Sequence, residues 1–157
     1  LPISSLAPSA IALNAGPGLV AKVVSRTMWG TPKEMDDKDL DDVVEGFVQG
    51  AWLARAAGFE GVQLHCSHGY LLAQFLSPNV SLIPAGTGRG ADVEVQVNVR
   101  TDSYGGSPLA RMTLLFRIID AVRKEFPQSS GFCVGIKLNS SDYVVSDILS
   151  SLVPSFD

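Results

Sequence analysis

The chain has 157 residues, of which 46% are hydrophobic and 18% charged, and its formal net charge is −4. This is the composition of one globular domain rather than of a disordered chain. The acidic balance and the lack of a basic run argue against a nucleic-acid or anionic-membrane partner. No apolar stretch is long enough to span a bilayer, and two cysteines are too few for a disulfide framework. We therefore expect a cytoplasmic protein with both thiols reduced.

The first strongly predicted element is a helix of roughly 20 residues. Asp36 is the expected N-cap, and Asp39 follows three residues later in an acidic first turn, where the helix dipole favours negative charge. Gly58 stands where a left-handed C-terminal cap is wanted. Apolar residues keep helical spacing between these ends: Leu40, Val43, Val44, Phe47, Val48, Ala51 and Ala54.

Shorter elements follow, and then a second long helix. Residues 59–65, FEGVQLH, are apolar and β-prone, and residues 70–76, YLLAQFL, suit one or two helical turns. The long helix is expected to begin with Ser107 as the N-cap and Pro108 at the first helical position. Pro127 would end it.

The last firm element is a buried strand over residues 131–139, GFCVGIKLN. The order helix, strand, helix, strand, with nearly continuous apolar strands, predicts an α/β fold with a parallel sheet. The pattern alone does not separate an open doubly wound sheet from a closed barrel.

Both histidines of the chain lie in the stretch LHCSHGY, which allows several chemical interpretations. A zinc site usually needs three or four protein ligands, and Cys66 should point away from His65 because successive strand residues face opposite sides. A nucleophile with its base is weakly supported, since no GxSxG elbow is present. Ordinary hydrogen bonding at a strand end is the simplest interpretation of His65 and His68.

A resemblance to a known family favours a functional interpretation of the two histidines. Residues 57–78, AGFEGVQLHCSHGYLLAQFLSP, and 100–107, RTDSYGGS, resemble the signature of the old yellow enzyme family of FMN-dependent ene-reductases. The segments 3–13, 30–35 and 131–143 resemble further parts of the family in the same order. The resemblance implies a partial (β/α)8 TIM barrel, from about its third helix to its fifth strand, with active-site groups at the C-terminal ends of the strands.

The resemblance also implies a role for the histidine pair. His65 and His68 match the pair that grips the carbonyl oxygen of the substrate above the flavin. Ring N–H donors suit an oxygen that gains negative charge as hydride arrives at the β-carbon. On this interpretation Cys66 and Ser67 are spacers.

Further roles and one departure follow from the same comparison. Tyr70 matches the residue that delivers a proton to the α-carbon, and Lys137 matches a basic residue beside N1 and the C2 carbonyl of FMN. NAD(P)H is the implied hydride donor. Where the family often has Asn-Arg, this chain has Ala110-Arg111, which puts the usual anchoring of that helix in doubt.

Residues 80–96 interrupt the family-like sequence. Deleting Val80–Gln96 leaves LAQFLSPNVNVRTDSYGGS without a gap. The deleted piece begins with Val-Ser and ends with Gln, whose codons can match the two ends of an intron. The non-family tail at 144–157 also has Val-Ser at its junction. We interpret 80–96 as a retained intron and expect it to be disordered; a lineage-specific loop insertion is the alternative.

Two hypotheses of different class follow for residues 1–157. In the first, the chain is an FMN-dependent NAD(P)H oxidoreductase that reduces the activated C=C bond of a small-molecule enone. In the second, it is a non-catalytic fragment of such an enzyme that cannot hold flavin. A partial barrel would leave strand edges and apolar faces open, so self-association is expected of it.

Overall fold

The computed structural model describes residues 5–12, 23, 27, 30–77, 79–82 and 93–138. The elements in chain order are β1 (Leu6–Ala7), β2 (Lys33–Glu34), α1 (Asp37–Ala56), β3 (Gly61–Cys66), α2 (Leu71–Leu76), β4 (Asn79–Leu82), β5 (Val93–Gln96), α3 (Pro108–Arg111), α4 (Thr113–Glu125) and β6 (Cys133–Leu138). This confirms the α/β class. Within these ranges no helix is long and apolar enough to cross a membrane.

Helix α1 begins and ends where the sequence predicts. The Asp36 carboxylate accepts a hydrogen bond from the Asp39 backbone N–H at 2.9 Å, and the Asp39 carboxylate accepts one from the Asp36 N–H at 3.0 Å. This reciprocal capping box satisfies two backbone donors that a helix start otherwise leaves free. Lys33 bridges both carboxylates. Gly58, just beyond the helix, has a φ of 90°, as a left-handed cap requires.

The parallel pairing of β3 with β6 is the centre of the fold. Its register runs from Gly61 opposite Cys133 to Cys66 opposite Leu138. Leu64 and Cys66 are buried on the side of β3 that packs against the helices. The main core also contains residues of α1 and α4: Leu40, Ala51, Leu114, Leu115, Ile118 and Val122. The predicted parallel sheet is therefore confirmed.

The second long helix differs from its prediction, because it is divided at Met112. The N–H of Met112 is shared between the carbonyls of Pro108 at 3.2 Å and Leu109 at 3.1 Å. The α-helical i→i−4 hydrogen bond is thus accompanied here by an i→i−3 bond, as in a 3₁₀ turn. Ser107 still caps the first piece, because its Oγ accepts a hydrogen bond from the Ala110 N–H at 3.2 Å. Glu125 is the last residue of α4.

The expectation that residues 80–96 are disordered is wrong for the two ends of the segment. Strands β4 and β5 pair antiparallel, with Asn79 opposite Gln96 and Leu82 opposite Val93. Each terminal stretch satisfies the backbone groups of the other, which an isolated loop could not do. Residues 83–92 between the strands, and the tail at 144–157, lie outside the described residues.

Candidate active site

The site begins where β3 ends. The chain leaves the strand at Cys66 and reverses through a turn over residues 67–70, in which the φ of His68 is 60° and that of Gly69 is 72°. The N–H of Tyr70 closes the turn on the carbonyl of Ser67 at 3.4 Å. Positive φ at both central residues is the signature of a type I′ turn. The left-handed backbone at His68 is costly for a residue with a Cβ, and such strain often accompanies function.

This turn brings together three of the predicted site residues. The rings of His65 and His68 lie edge to face, with centroids 5.2 Å apart and an interplanar angle of 89°. The ring of Tyr70 lies 5.1 Å from that of His65. Tyr70 is 62% exposed, so its ring borders solvent while it touches the histidine. The result is a compact cluster of polar rings at the carboxyl end of a parallel strand, where α/β proteins place their chemistry.

Lys137, the fourth predicted residue, lies directly opposite His65 in the ladder between β3 and β6. Desolvation lowers the pKa of His65 below its usual value, and the positive charges of Lys137 and His68 lower it further. A lowered pKa favours the neutral form of the His65 imidazole. A neutral imidazole has one N–H donor and one acceptor nitrogen.

The position of Cys66 does not suit a metal ligand or a thiol nucleophile beside the two histidines. Cys66 is buried in the core, on the opposite side of β3 from the ring cluster, as the alternation of strand residues predicts. Burial raises the pKa of its thiol to about 11, so it stays protonated and is a poor nucleophile. Across the described ranges, no group of three or more His, Cys, Asp or Glu residues could hold a metal ion.

Ser67 is not the spacer that the sequence suggests. Its side chain is fully buried, with 0% exposure, and its Oγ lies 2.9 Å from Nδ1 of His65. The sequence contained no signal for this contact, because a serine two residues after a histidine is common and the contact depends on the turn geometry. Ser67 therefore belongs to the candidate site.

The loop after β5 is held against the site through the C-terminal end of α2. Asn98 is buried, and its Nδ2 donates to the carbonyl oxygens of Phe75 and Tyr104, each at 2.9 Å. Arg111 is also buried; its Nε donates to the carbonyl of Leu76 at 2.8 Å, and it also bonds the carbonyl of Gly106. These side chains satisfy carbonyls that a helix end leaves free. Helix α3, which carries Arg111, is thus anchored through this arginine, although alanine precedes it at position 110.

Arg100 joins three parts of the chain near the same edge. Its guanidinium donates to the carbonyl oxygens of Pro8 at 3.0 Å and Met35 at 2.8 Å, and it pairs with the Asp102 carboxylate. Only 7% of its side chain is exposed. A Cβ at Gly105 would lie 2.2 Å from the Arg100 carbonyl oxygen, so this close backbone approach requires glycine. The sequence motif drew attention to this loop but not to its role as a clamp.

The open face of the β3–β6 pair suits an electron-rich ring. Gln63, His65, Gly135 and Lys137 have the strand parity opposite to the buried Leu64. A cationic side chain and a ring N–H donor lie next to each other on this face, and Gly135 leaves space beside them. A cation of this kind can stabilise negative charge at one edge of a flavin ring. The residues present therefore fit an FMN isoalloxazine.

Comparisons with known proteins identify relatives of this chain. Residues 8–82 match the model of the NADH:flavin oxidoreductase / NADH oxidase family. An NADH-dependent flavin oxidoreductase of Neonectria sp. (strain DH2) is 44% identical over 88% of this chain, and one of Talaromyces variabilis is 44% identical over 87%. An NADPH dehydrogenase of Geobacillus thermodenitrificans is 34% identical over 91%.

A solved structure shows the same relationship at the level of the fold. The crystal structure of Old Yellow Enzyme from Pichia sp. AKU4542 is 28% identical, covers 85% of this chain and superposes with a TM-score of 0.61. The chain spans only part of each protein that it matches: 28% of that structure, 16% of the Neonectria relative and 28% of the Talaromyces relative.

Proposed function

Because the chain belongs to the NADH:flavin oxidoreductase / NADH oxidase family, we propose that it carries the substrate-binding part of an FMN-dependent NAD(P)H oxidoreductase. Its substrate would be a small molecule with an activated C=C bond, such as an enone. The observation that carries this proposal is the cluster of His65, His68 and Tyr70 at the end of β3.

His65 and His68 are the proposed clamp for the carbonyl oxygen of the substrate. Their rings lie edge to face, so N–H donors from two directions can converge on one acceptor. A neutral ring suits this role because it donates a hydrogen bond without giving up its proton to the oxygen. Donors fixed in advance stabilise the charge that develops on that oxygen in the transition state.

Tyr70 is the proposed proton donor to the α-carbon. Its ring packs against His65 but is mostly exposed, so its hydroxyl is accessible to a molecule bound over the cluster. A phenol positioned by a helix start can supply a proton as general acid. The extended backbone of Tyr70, the residue before α2, directs the chain from the turn into the helix.

Lys137 is the proposed contact of the FMN ring. When bound, FMN would supply a hydride to the β-carbon of the substrate, and NAD(P)H would reduce the flavin again. Lys137 lies opposite His65, so the residue that would bind the cofactor and one that would bind the substrate share one ladder. The cation would favour the electron-rich form of the ring, and the histidines would hold the substrate.

The proposal is tested by visible absorbance of the purified chain after incubation with FMN and removal of free cofactor. We expect a retained flavin spectrum that changes when a phenol is added, because a phenolate mimics the carbonyl oxygen at the histidine clamp. His65→Gln combined with His68→Gln should keep the flavin but lose the phenol response. A colourless protein would contradict flavin binding by this chain.

The alternative, a non-catalytic fragment, has a specific observation in its favour. In the described part of β6, Ile136 is 41% and Leu138 43% exposed, although they have the strand parity of the packed Val134. Apolar side chains in a parallel strand normally lie under a helix. Self-association through such a face is the expected behaviour, and sedimentation velocity would detect it. A colourless, associating chain would favour this alternative.

A further inference from the structure

Ser67 is buried, and its hydroxyl contacts the half-buried His65 at the edge of the ring cluster. The Oγ of Ser67 lies 2.9 Å from Nδ1 of His65, a normal hydrogen-bond length. Ser67 has no exposure to solvent, so its hydroxyl is out of reach of bulk water. Within the described part of the chain, His65 is the partner of the Ser67 hydroxyl, while the Ser67 carbonyl accepts the N–H of Tyr70 at 3.4 Å.

The direction of this hydrogen bond follows from what each atom can donate. If Nδ1 carried the proton and donated to Oγ, the hydroxyl proton of Ser67 would be buried without an acceptor among the described residues. If the hydroxyl donates to an unprotonated Nδ1, its proton is satisfied. Buried polar hydrogens are almost always paired, so the second arrangement is favoured. It requires that Nδ1 of His65 is the acceptor.

We infer that Ser67 is a positioning residue, whose hydroxyl donates to Nδ1 of His65 and holds the ring as the Nε2–H tautomer. The proton is then fixed on the nitrogen farther from the backbone. This inference deepens the proposed function and rests on it for its catalytic meaning, because Nε2–H would be the donor from His65 to the substrate carbonyl. A hydrogen bond at one ring nitrogen generally sets the role of the other.

The tautomer can be read directly by nitrogen NMR of the full chain with 15N-labelled histidine rings. The chain has only two histidines, so the spectrum of His68→Gln assigns the signals of His65. Ser67→Ala removes the hydroxyl, and Ser67→Thr retains it as the conservative control. The measurement is made at neutral pH without flavin or substrate.

We expect long-range proton–nitrogen correlations that identify Nε2 as the protonated nitrogen, with the Nδ1 signal shifted upfield by its accepted hydrogen bond. In Ser67→Ala this shift is lost and the second tautomer appears; Ser67→Thr restores the wild-type pattern. A protonated Nδ1 in the wild type would overturn the inference, even if Ser67→Ala failed to fold. An Nδ1 chemical shift that is the same in the wild type and in Ser67→Ala would also overturn it.

The two proposals fail separately in these experiments. A chain that holds no FMN but has the Nε2–H tautomer would contradict the proposed function and leave the role of Ser67 intact. A chain that holds FMN and responds to phenol, but has a protonated Nδ1, would support the proposed function and contradict the role of Ser67. Neither result depends on enzymatic turnover.

Discussion

His65 lies directly opposite Lys137 in the parallel ladder of β3 and β6. Directly opposed strand residues of the same parity face the same side of a sheet, so the imidazole and the ammonium share one surface. Their charges repel when both groups are protonated. The positive charge of Lys137 is one of the causes that lower the pKa of His65, after desolvation.

Lys137→Gln should therefore raise the pKa of His65 toward its ordinary value. Neutralising Lys137 removes a repulsive charge, while the desolvation remains, so the return should be incomplete. Proton NMR titration of the two histidines measures it. Lys124→Gln, on α4, is the matched control and should leave the pKa of His65 unchanged. An unchanged pKa in Lys137→Gln would show that the two side chains are not close in solution.

The left-handed backbone at His68 predicts an unusual order of stabilities. Alanine with a φ near 60° is strained, whereas glycine is not. The free energy of unfolding of His68→Ala should therefore be about 1 kcal/mol lower than that of His68→Gly. Urea titration measures both values. Gln63, within β3, has ordinary backbone, and there the alanine variant should be the more stable one. The same order at both positions would contradict the turn geometry.

Even the conservative substitution Arg100→Lys should destabilise the fold. A lysine cannot bond the carbonyls of Pro8 and Met35 and the Asp102 carboxylate at once, because it lacks the planar fork of the guanidinium. A buried carbonyl left unpaired costs about 1–3 kcal/mol, so Arg100→Lys should lower the free energy of unfolding by that amount. Arg55→Lys, at an exposed position of α1, should change it little. Equal effects in chemical denaturation would contradict the clamp.

The cap of α1 predicts an acid-dependent loss of stability. Its hydrogen bond with Lys33, followed by that from the Asp39 N–H, lowers the pKa of Asp36 from 3.8 to about 2. Because the folded-state pKa is depressed, this contribution is complete above pH 4 and is lost as the pH falls through 2. Asp36→Asn should retain a cap but remove this pH dependence, and Asp36→Ala should remove both. Urea titrations between pH 2 and 5 measure the difference.

The sequence was sufficient for the elements that local chemistry determines. Asp36 and Gly58 identify the ends of α1 because capping depends on residues close in sequence. The division at Met112 and the roles of Asn98 and Arg100 depend on contacts across the fold, so no local pattern predicts them. Ser67 is an intermediate case: it is close to His65 in sequence, but its contact exists only because Ser67 is buried beside His65 at the start of the turn.

The pairing of β4 with β5 gives the insertion hypothesis a structural basis. Asn79 lies opposite Gln96, so the two ends of the 80–96 segment are neighbours in space. An insertion that closes on itself in this way can be added or removed with little change elsewhere. We still propose that it derives from a retained intron. If every spliced transcript contains the segment, the intron origin is contradicted, but the structural argument is not.

Deleting Val80–Gln96 should therefore leave the fold intact. The deletion joins Asn79 to Val97, and Asn98 keeps its bonds to the carbonyls of Phe75 and Tyr104. Loop entropy changes by only about 0.6 kcal/mol for each halving of loop length, so the free energy of unfolding should stay equal or rise slightly. A longer deletion, 80–98, also removes the buried amide and should cost about 1–3 kcal/mol. If both deletions unfold the chain equally in thermal denaturation, the paired segment is part of the fold rather than an addition to it.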